Sequence, residues 1–221
     1  MVESPSKRCG VATDSAIELL ESFGVSRETI RKLYIYGDLL ARWQQKINLI
    51  SSPTLHDCWM RHFVDSLQLV GFAQDAKTWI DLGSGAGFPG LPIAIHLTDS
   101  PGTKVHLIER DSRKCAFMQE VIRETGAAAD VHNGSIDTVI GEIVSADVVI
   151  SRAVTDLKTL SAWSSRFLEN GAVGLFLKGQ DVVGELTEAS RFSKFAISVH
   201  SSRIGSTGCI VRVSAALPSS G

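Results

Sequence analysis

The run WIDLGSGAGFPGLPIAI places Gly83, Gly85 and Gly87 directly after one short apolar stretch and before another entered at Pro89. Glycines let a backbone turn sharply and approach a ligand closely. Within the run GAGFPG, residues 85–90, satisfies the dinucleotide pattern G-x-G-x-x-G, so two cofactor classes compete for the loop. Asp81, immediately before the loop, would repel a pyrophosphate but attract the ammonium or sulfonium of S-adenosylmethionine. Glu109 closes the next apolar run, KVHLIE, where a carboxylate accepts ribose hydroxyl hydrogens in NAD and S-adenosylmethionine sites alike. The pattern predicts a nucleoside-bearing cofactor, and the charge of Asp81 favours S-adenosylmethionine over NAD.

Further groups surround this loop in the sequence. After the third apolar run comes GSID, where Ile136 and Asp137 could contact an adenine, or be a core residue and a helix cap. Arg152, in VVISRAVTDL, could donate to guanine O6 or a phosphate, hold Asp81 or a cofactor carboxylate, or stand on the surface. Lys178, in LFLKGQD, either neutralises RNA phosphate or is solvated. In RHFVDSL, residues 61–67, Arg61, His62, Asp65 and Ser66 lie three or four apart on one presumed helix face, bordering a site or satisfied within the structure. Neither a cysteine near these positions nor an (Asp/Asn)-Pro-Pro-aromatic loop is present to activate a base carbon or an exocyclic amine. An acceptor with a free lone pair, such as guanine N7, needs only alignment and charge stabilisation.

The elements that must position these residues follow from periodicity. After a mobile tail of 13 residues, helices are predicted over Asp14 to Phe23, Arg27 to about Asn48 behind a Ser26 cap, and Leu55 to Phe72. In the second helix Ile30, Leu33, Tyr34, Leu40, Trp43 and Ile47 recur at mostly helical spacing, forming an apolar stripe that needs a partner. Strands over 78–82, 104–108, 129–132, 146–151 and 172–178 alternate with helices over 91–97, 113–125, 157–168 and 182–191. Such alternation implies a mostly parallel sheet covered on both faces. Two last runs, 195–199 and 209–213, flank a hairpin. The expectation is an α/β, Rossmann-like fold: a mostly parallel seven-stranded sheet with an antiparallel terminal pair, plus an N-terminal helical extension. The extension covers residues 1–75 and the cofactor-binding unit residues 76–221.

Composition narrows the functional classes. Hydrophobic residues make up 44% and charged residues 21% of the chain, and no run of about 18 apolar residues could span a bilayer. The polar first residues do not resemble a signal peptide, which predicts a cytoplasmic protein. Cys9, Cys58, Cys115 and Cys209 lack zinc or C-x-x-C spacing and read as reduced thiols, and no metal site is expected. A net charge of −2 excludes a globally basic nucleic-acid binder, so any RNA site must be a local patch. Between residues 27 and 62 six cations (27, 31, 32, 42, 46 and 61) face three acids, which points to the extension.

Six segments, WQQKINLIS, RH followed by DSL, DLGSGAGFPGLPIAI, LIERDSRKCAFM, SRAV and LKGQ, together resemble one family over roughly residues 39–180. It comprises the bacterial small-subunit ribosomal RNA guanine-N7 methyltransferases, historically named glucose-inhibited division protein B. The resemblance implies a class I methyltransferase fold and transfer of a methyl group from S-adenosylmethionine to guanine N7 in a 16S ribosomal RNA loop. The substrate would be 16S RNA or the small subunit, and the enzyme a monomer without metal. The family's cofactor contacts fall on Gly83, Phe88, Ile136, Asp137 and Arg152; the residue arguments add Asp81, Gly85 and Glu109. Arg152 and Lys178 are expected to orient RNA or cofactor. Family members commonly carry Glu where this chain has Asp137, a shorter acid that would sit differently. Two rivals remain at this point: an NAD-dependent oxidoreductase, and a non-catalytic RNA-binding or assembly protein.

Overall fold

The computed structural model describes residues 9, 12–51, 57–179, 182, 184–187, 194–204 and 208–216. The start of the helix expected from Leu55, the later part of the one expected over 182–191, the hairpin tip and most of the tail lie outside these residues.

The first two helices form where polar caps meet apolar stripes. Thr13 Oγ1 accepts from the Ala16 amide to open α1 (Asp14–Ser22), and Ser26 Oγ accepts from the Thr29 amide to open α2 (Arg27–Gln44). Helix α2 stops four residues short of the expected end because the Gln44 side chain takes over the pairing. Its Oε1 accepts from the Leu49 and Ile50 amides at 2.9 and 3.0 Å, and its Nε2 donates to the Ile50 carbonyl at 2.8 Å. The third predicted helix is instead a composite. A π-helical turn over Trp59–Val64 runs into α3 (Asp65–Leu67) and a 3₁₀ turn over Gln68–Phe72. Apolar spacing alone does not separate i→i+4 from i→i+5 bonding, and π turns concentrate at functional sites.

Seven strands follow: β1 (Thr78–Leu82), β2 (Lys104–Glu109), β3 (Ala129–Asn133), β4 (Val148–Arg152), β5 (Val173–Gly179), β6 (Phe195–Ser201) and β7 (Gly208–Ala215). Their order is β3-β2-β1-β4-β5-β7-β6, parallel through β5, with β7 antiparallel to both β5 and β6. The expected fold class is therefore realised, with strand limits shifted by at most two residues. Between the strands lie α4 (Gly90–His96), α5 (Ser112–Thr125), α6 (Ile136–Val139) and α7 (Leu157–Glu169). One apolar layer joins α1, α2, α4 and α5 to the sheet; the other joins α6 and α7 to the opposite face. Extension residues Leu33, Tyr36, Leu40 and Phe63 share the first layer with Phe88, Leu91 and Phe117. Strand order reverses between β1 and β4, and their carboxyl ends flank the crevice where such sheets bind ligands.

One expectation is overturned. Cys9 and Cys58 are joined in a disulfide across 49 residues of sequence, with Cα atoms 5.6 Å apart, whereas Cys115 and Cys209 are free. The partners approach only because α1 and α2 fold back on the π turn, so no sequence spacing announces the pair. Cys9 is thus tied to the residue that precedes the π turn.

Candidate active site

A cleft of about 1200 Å³ opens at the carboxyl ends of the parallel strands, lined by Gly83, Gly85, Phe88, Glu109, Ile136, Asp137, Arg152 and Lys178 among others. Glu109, Arg152 and Lys178 stand at strand ends, Gly83, Gly85 and Phe88 come from the glycine loop, and Ile136 and Asp137 open α6. Eight of the nine predicted site residues are brought together; Asp81 lies behind them.

The loop is shaped by what presses on it. Gly83, Gly85 and Gly87 all have positive φ, and a Cβ at Gly83 would stand 2.6 Å from Val154 Cγ2. Glu109 Oε2 accepts from the Gly85 amide at 2.9 Å, and Oε1 accepts from the Asp111 amide at 2.8 Å. The carboxylate thus fixes the loop while keeping lone pairs for a ribose diol. From behind, Tyr36 donates its hydroxyl to the Ala86 carbonyl and stacks on Phe88 with centroids 5.0 Å apart. Burial raises the Tyr36 phenol far above its usual range, so it stays neutral and donates.

Asp81 departs from its predicted role. It is fully buried beneath the loop, outside the cleft lining, with Oδ2 accepting from the Gly90 amide at 3.0 Å and Oδ1 unpartnered. Burial pushes its carboxyl up to about 7 even though the Gly90 amide opposes the shift. A Cβ at Gly90 would meet Asp81 Oδ2 at 2.7 Å and Leu107 Cδ2 at 2.4 Å, so Gly90 is required for this seat. Asp81 braces the loop through the Gly90 amide.

The opposite wall is built on Arg152. Its Nη1 donates to the Arg61 carbonyl at 3.0 Å and lies 2.6 Å from His62 Nδ1, while its guanidinium sits 5.1 Å from the Phe88 ring centre. His62 stacks on the same ring at 4.9 Å. Burial, then the charges of Arg152 and Arg61, pull the His62 pKa down to about 3, so the imidazole is neutral and Nδ1 is the acceptor. Burial raises the Asp65 carboxyl, while Arg152 and hydrogen bonds from Ser202 and Gln68 oppose this. Burial likewise lowers Arg152 from its ordinary value, and Asp65 is foremost among the groups that restore it. RHFVDSL is thus a seat for Arg152. Next to it, Ala153 holds φ at 54°, a strained conformation for a residue with a side chain.

Two predicted residues have partners that sequence reasoning missed. Asp137 is no helix cap: Ser135 caps α6, and Asp137 Oδ1 accepts from the Trp163 indole at 2.7 Å. Lys178 is neither solvated nor open to phosphate. Its ammonium donates to Glu185 Oε2 at 2.7 Å and to the Thr155 carbonyl at 2.5 Å, and the side chain is 9% exposed. Glu185 also accepts from the Leu157 amide at 2.9 Å, so the group anchors the start of α7. Tyr36 was also missed, although it lies three residues after Leu33 and four before Leu40 in the apolar stripe of α2. No such signal marks Trp163. Cys209 lines the cleft, but burial raises its thiol and leaves it protonated.

The donor set fits S-adenosylmethionine: a carboxylate pinned at the end of β2, an apolar Ile136 beside an exposed acid, and a loop whose crowding excludes side chains. The family model for rRNA small subunit methyltransferase G matches residues 29–207. The chain belongs to that family. Similar relatives of that description include one from Methylorubrum populi, 45% identical over 92% of this chain and 96% of its own. Another from Bradyrhizobium sp. is 44% identical over 95% of each chain. Among solved structures, a putative O-methyltransferase from Klebsiella pneumoniae has a TM-score of 0.61 at 13% identity, covering 92% of this chain and 97% of its own. A magnesium protoporphyrin IX methyltransferase from Synechocystis, solved with bound SAM, has a TM-score of 0.56 at 14% identity, covering 86% and 98%. These two share the class I methyltransferase fold. As a member of the family this chain is a methyltransferase with S-adenosylmethionine as its methyl donor, and the dinucleotide reading of GAGFPG finds no support.

Proposed function

We propose that the enzyme methylates N7 of one guanine in 16S ribosomal RNA, free or within the small subunit. The observation that carries this reading is the state of His62. Among the described residues it is the one imidazole lining the cleft, it is neutral, and its Nδ1 is occupied by Arg152. A hydroxyl acceptor would call on a base beside it, and this imidazole does not offer one; guanine N7 carries its own free lone pair and needs none.

In this reading Gly83, Gly85, Phe88, Glu109, Ile136, Asp137 and Arg152 hold the cofactor. Glu109 accepts from the ribose hydroxyls, and Asp137, oriented by Trp163, accepts from the adenine amino group. S-adenosylmethionine, when bound, supplies an electrophilic methyl group. The guanine is aligned in line with it, and the Arg152 guanidinium orients the reactants by donating to a cofactor carboxylate or to the guanine O6 carbonyl. Lys178 acts through Thr155 and Glu185, by fixing the loop after β4. Residues 1–75 serve as the RNA-facing extension and 76–221 as the cofactor unit. The enzyme works as a monomer in the cytoplasm. No described helix is long and apolar enough to cross a membrane. A reducing cytoplasm would tend to open the Cys9–Cys58 bond.

The test is incorporation of radiolabelled methyl from S-adenosylmethionine into ribosomal RNA of a strain lacking this enzyme, offered as free RNA and as small subunits, followed by nucleoside analysis. Label in 7-methylguanosine is expected. Label in any other nucleoside overturns the N7 assignment, and no label in either substrate overturns the RNA assignment.

A further inference from the structure

The extension carries six cations between residues 27 and 62, but they are not equivalent. Arg31 is paired with Glu28 at 3.1 Å and Arg61 with Asp57 at 3.2 Å. Arg42 and Lys46 are exposed, and neither has an ion-pair partner among the described residues. These two lie near the C-terminal end of α2 and, with Trp43, Gln45 and Glu120, line a second cavity of about 340 Å³.

The indole in this cavity is held in place. Trp43 Nε1 donates to Glu120 Oε2 at 2.8 Å, and its ring packs at 5.8 Å from Phe117 on α5. It is only half-buried, so a fixed aromatic surface shares the cavity with two exposed cations; Arg42 Nε donates to the Asp38 carbonyl at 3.4 Å, and neither cation is ion-paired among the described residues. Glu120 is the single acid present and already accepts from the indole.

The cavity is also connected to the cleft. The chain leaving it turns through the Gln44 amide, and Leu49, Ile50 and Ser51 then line the active site. Residues 46 to 51 can span at most about 18 Å of extended chain, so the corner lies within a few nucleotides of the reacting base. On the cleft itself Arg110 and Lys114 add cations without ion-pair partners among the described residues. Exposed cations beside a fixed aromatic ring make a platform for single-stranded RNA, with phosphate charge neutralised and one base stacked.

We propose that the Arg42–Trp43–Lys46 corner binds a nucleotide flanking the methylated guanine, its cations taking backbone phosphate and its indole stacking the base. This rests on the RNA-methylation reading above.

The test measures affinity of the full-length enzyme for unmethylated 16S ribosomal RNA across a salt series, together with cofactor binding and methyl transfer. For Arg42→Ala/Lys46→Ala, RNA affinity falls by about tenfold or more and the salt slope drops by about 1.5. Cofactor affinity is unchanged. The control Arg27→Ala/Lys32→Ala, at the other end of α2, removes the same charge with a smaller loss. Trp43→Ala weakens RNA binding about 5- to 100-fold, as loss of one stacked base would. Because that change also touches packing, Trp43→Phe serves as rescue and recovers most of the affinity. A double alanine variant with wild-type affinity and salt slope, in an enzyme that still methylates the RNA, overturns the corner and leaves the function standing. A wild-type enzyme that neither binds nor methylates the RNA overturns the function, and the corner with it.

Discussion

The two walls of the cleft are built in different ways. The cofactor wall comes from one strand-loop-helix segment and the end of the neighbouring strand, and Glu109 binds the loop backbone directly. The Arg152 wall joins residue 152 to residues 61 and 62, some 90 positions away, through a carbonyl and one imidazole nitrogen. Phe88 belongs to both: Tyr36 and His62 stack on it, Phe63 meets it edge-on, and Arg152 sits over it. Local backbone geometry shapes the first wall, with Tyr36 of the extension bracing it from behind, whereas the second is assembled by long-range packing alone.

Phe88→Ala should break both walls at once. Removing a ring that is 3% exposed is expected to cost about 3–5 kcal/mol of stability, read from denaturant unfolding, and to abolish cofactor binding. Gly83→Ala should break only the first wall. Its positive φ and the contact with Val154 predict about 2–3 kcal/mol of lost cofactor affinity, measured by intrinsic tryptophan fluorescence, to which Trp163 in the cleft contributes, with RNA binding preserved. His62→Leu should break only the second. It removes one of the two acceptors of Arg152 and leaves only the Arg61 carbonyl, and kcat/KM should fall by about 2 kcal/mol, roughly thirtyfold. His62→Asn, which can still accept, should recover much of that; equal losses in both variants would mean that stacking alone matters.

The smallest effect concerns pH. Asp81 titrates at about 7 in the folded protein against 3.8 as a free carboxyl, so the native state holds the extra proton between those values. Its contribution to stability therefore falls as pH rises from 4 to 7 and is flat well above 7. Between pH 6 and 8 the loss is about 1.4 kcal/mol. His62 works in the opposite sense, because its folded pKa of about 3 lies below 6.5 and stability rises as pH climbs toward 6.5. Comparing Asp81→Asn with the wild type at both pH values cancels the histidine. The variant's relative stability should increase at pH 8, and a difference independent of pH would place the Asp81 pKa elsewhere.

What was legible in the sequence follows the same division. The glycine loop, Glu109 and every strand could be read because their signals are local: turn residues, caps and apolar runs. The seat of Arg152 was visible only as a suggestive RH-DS cluster, since no periodicity reports a π turn or a contact with residue 152. Lys178 was misread for a similar reason. Its partner Glu185 lies seven residues on, beyond the end of the strand, where no local spacing marks it as a partner. The cystine and the Asp137–Trp163 bond are likewise products of the assembled fold, and only the fold reveals them.

The Tyr36 hydroxyl, by donating to the Ala86 carbonyl, makes the second helix and the glycine loop a single thermodynamic unit. Free energy released when a ligand settles on that loop is then shared with the helix, whose amides should exchange with solvent more slowly in the bound state. The linkage is reciprocal: RNA that grips the helix must tighten the loop by the same factor. If RNA grips that helix as proposed, the enzyme holds its methyl donor most firmly when the acceptor is already in hand.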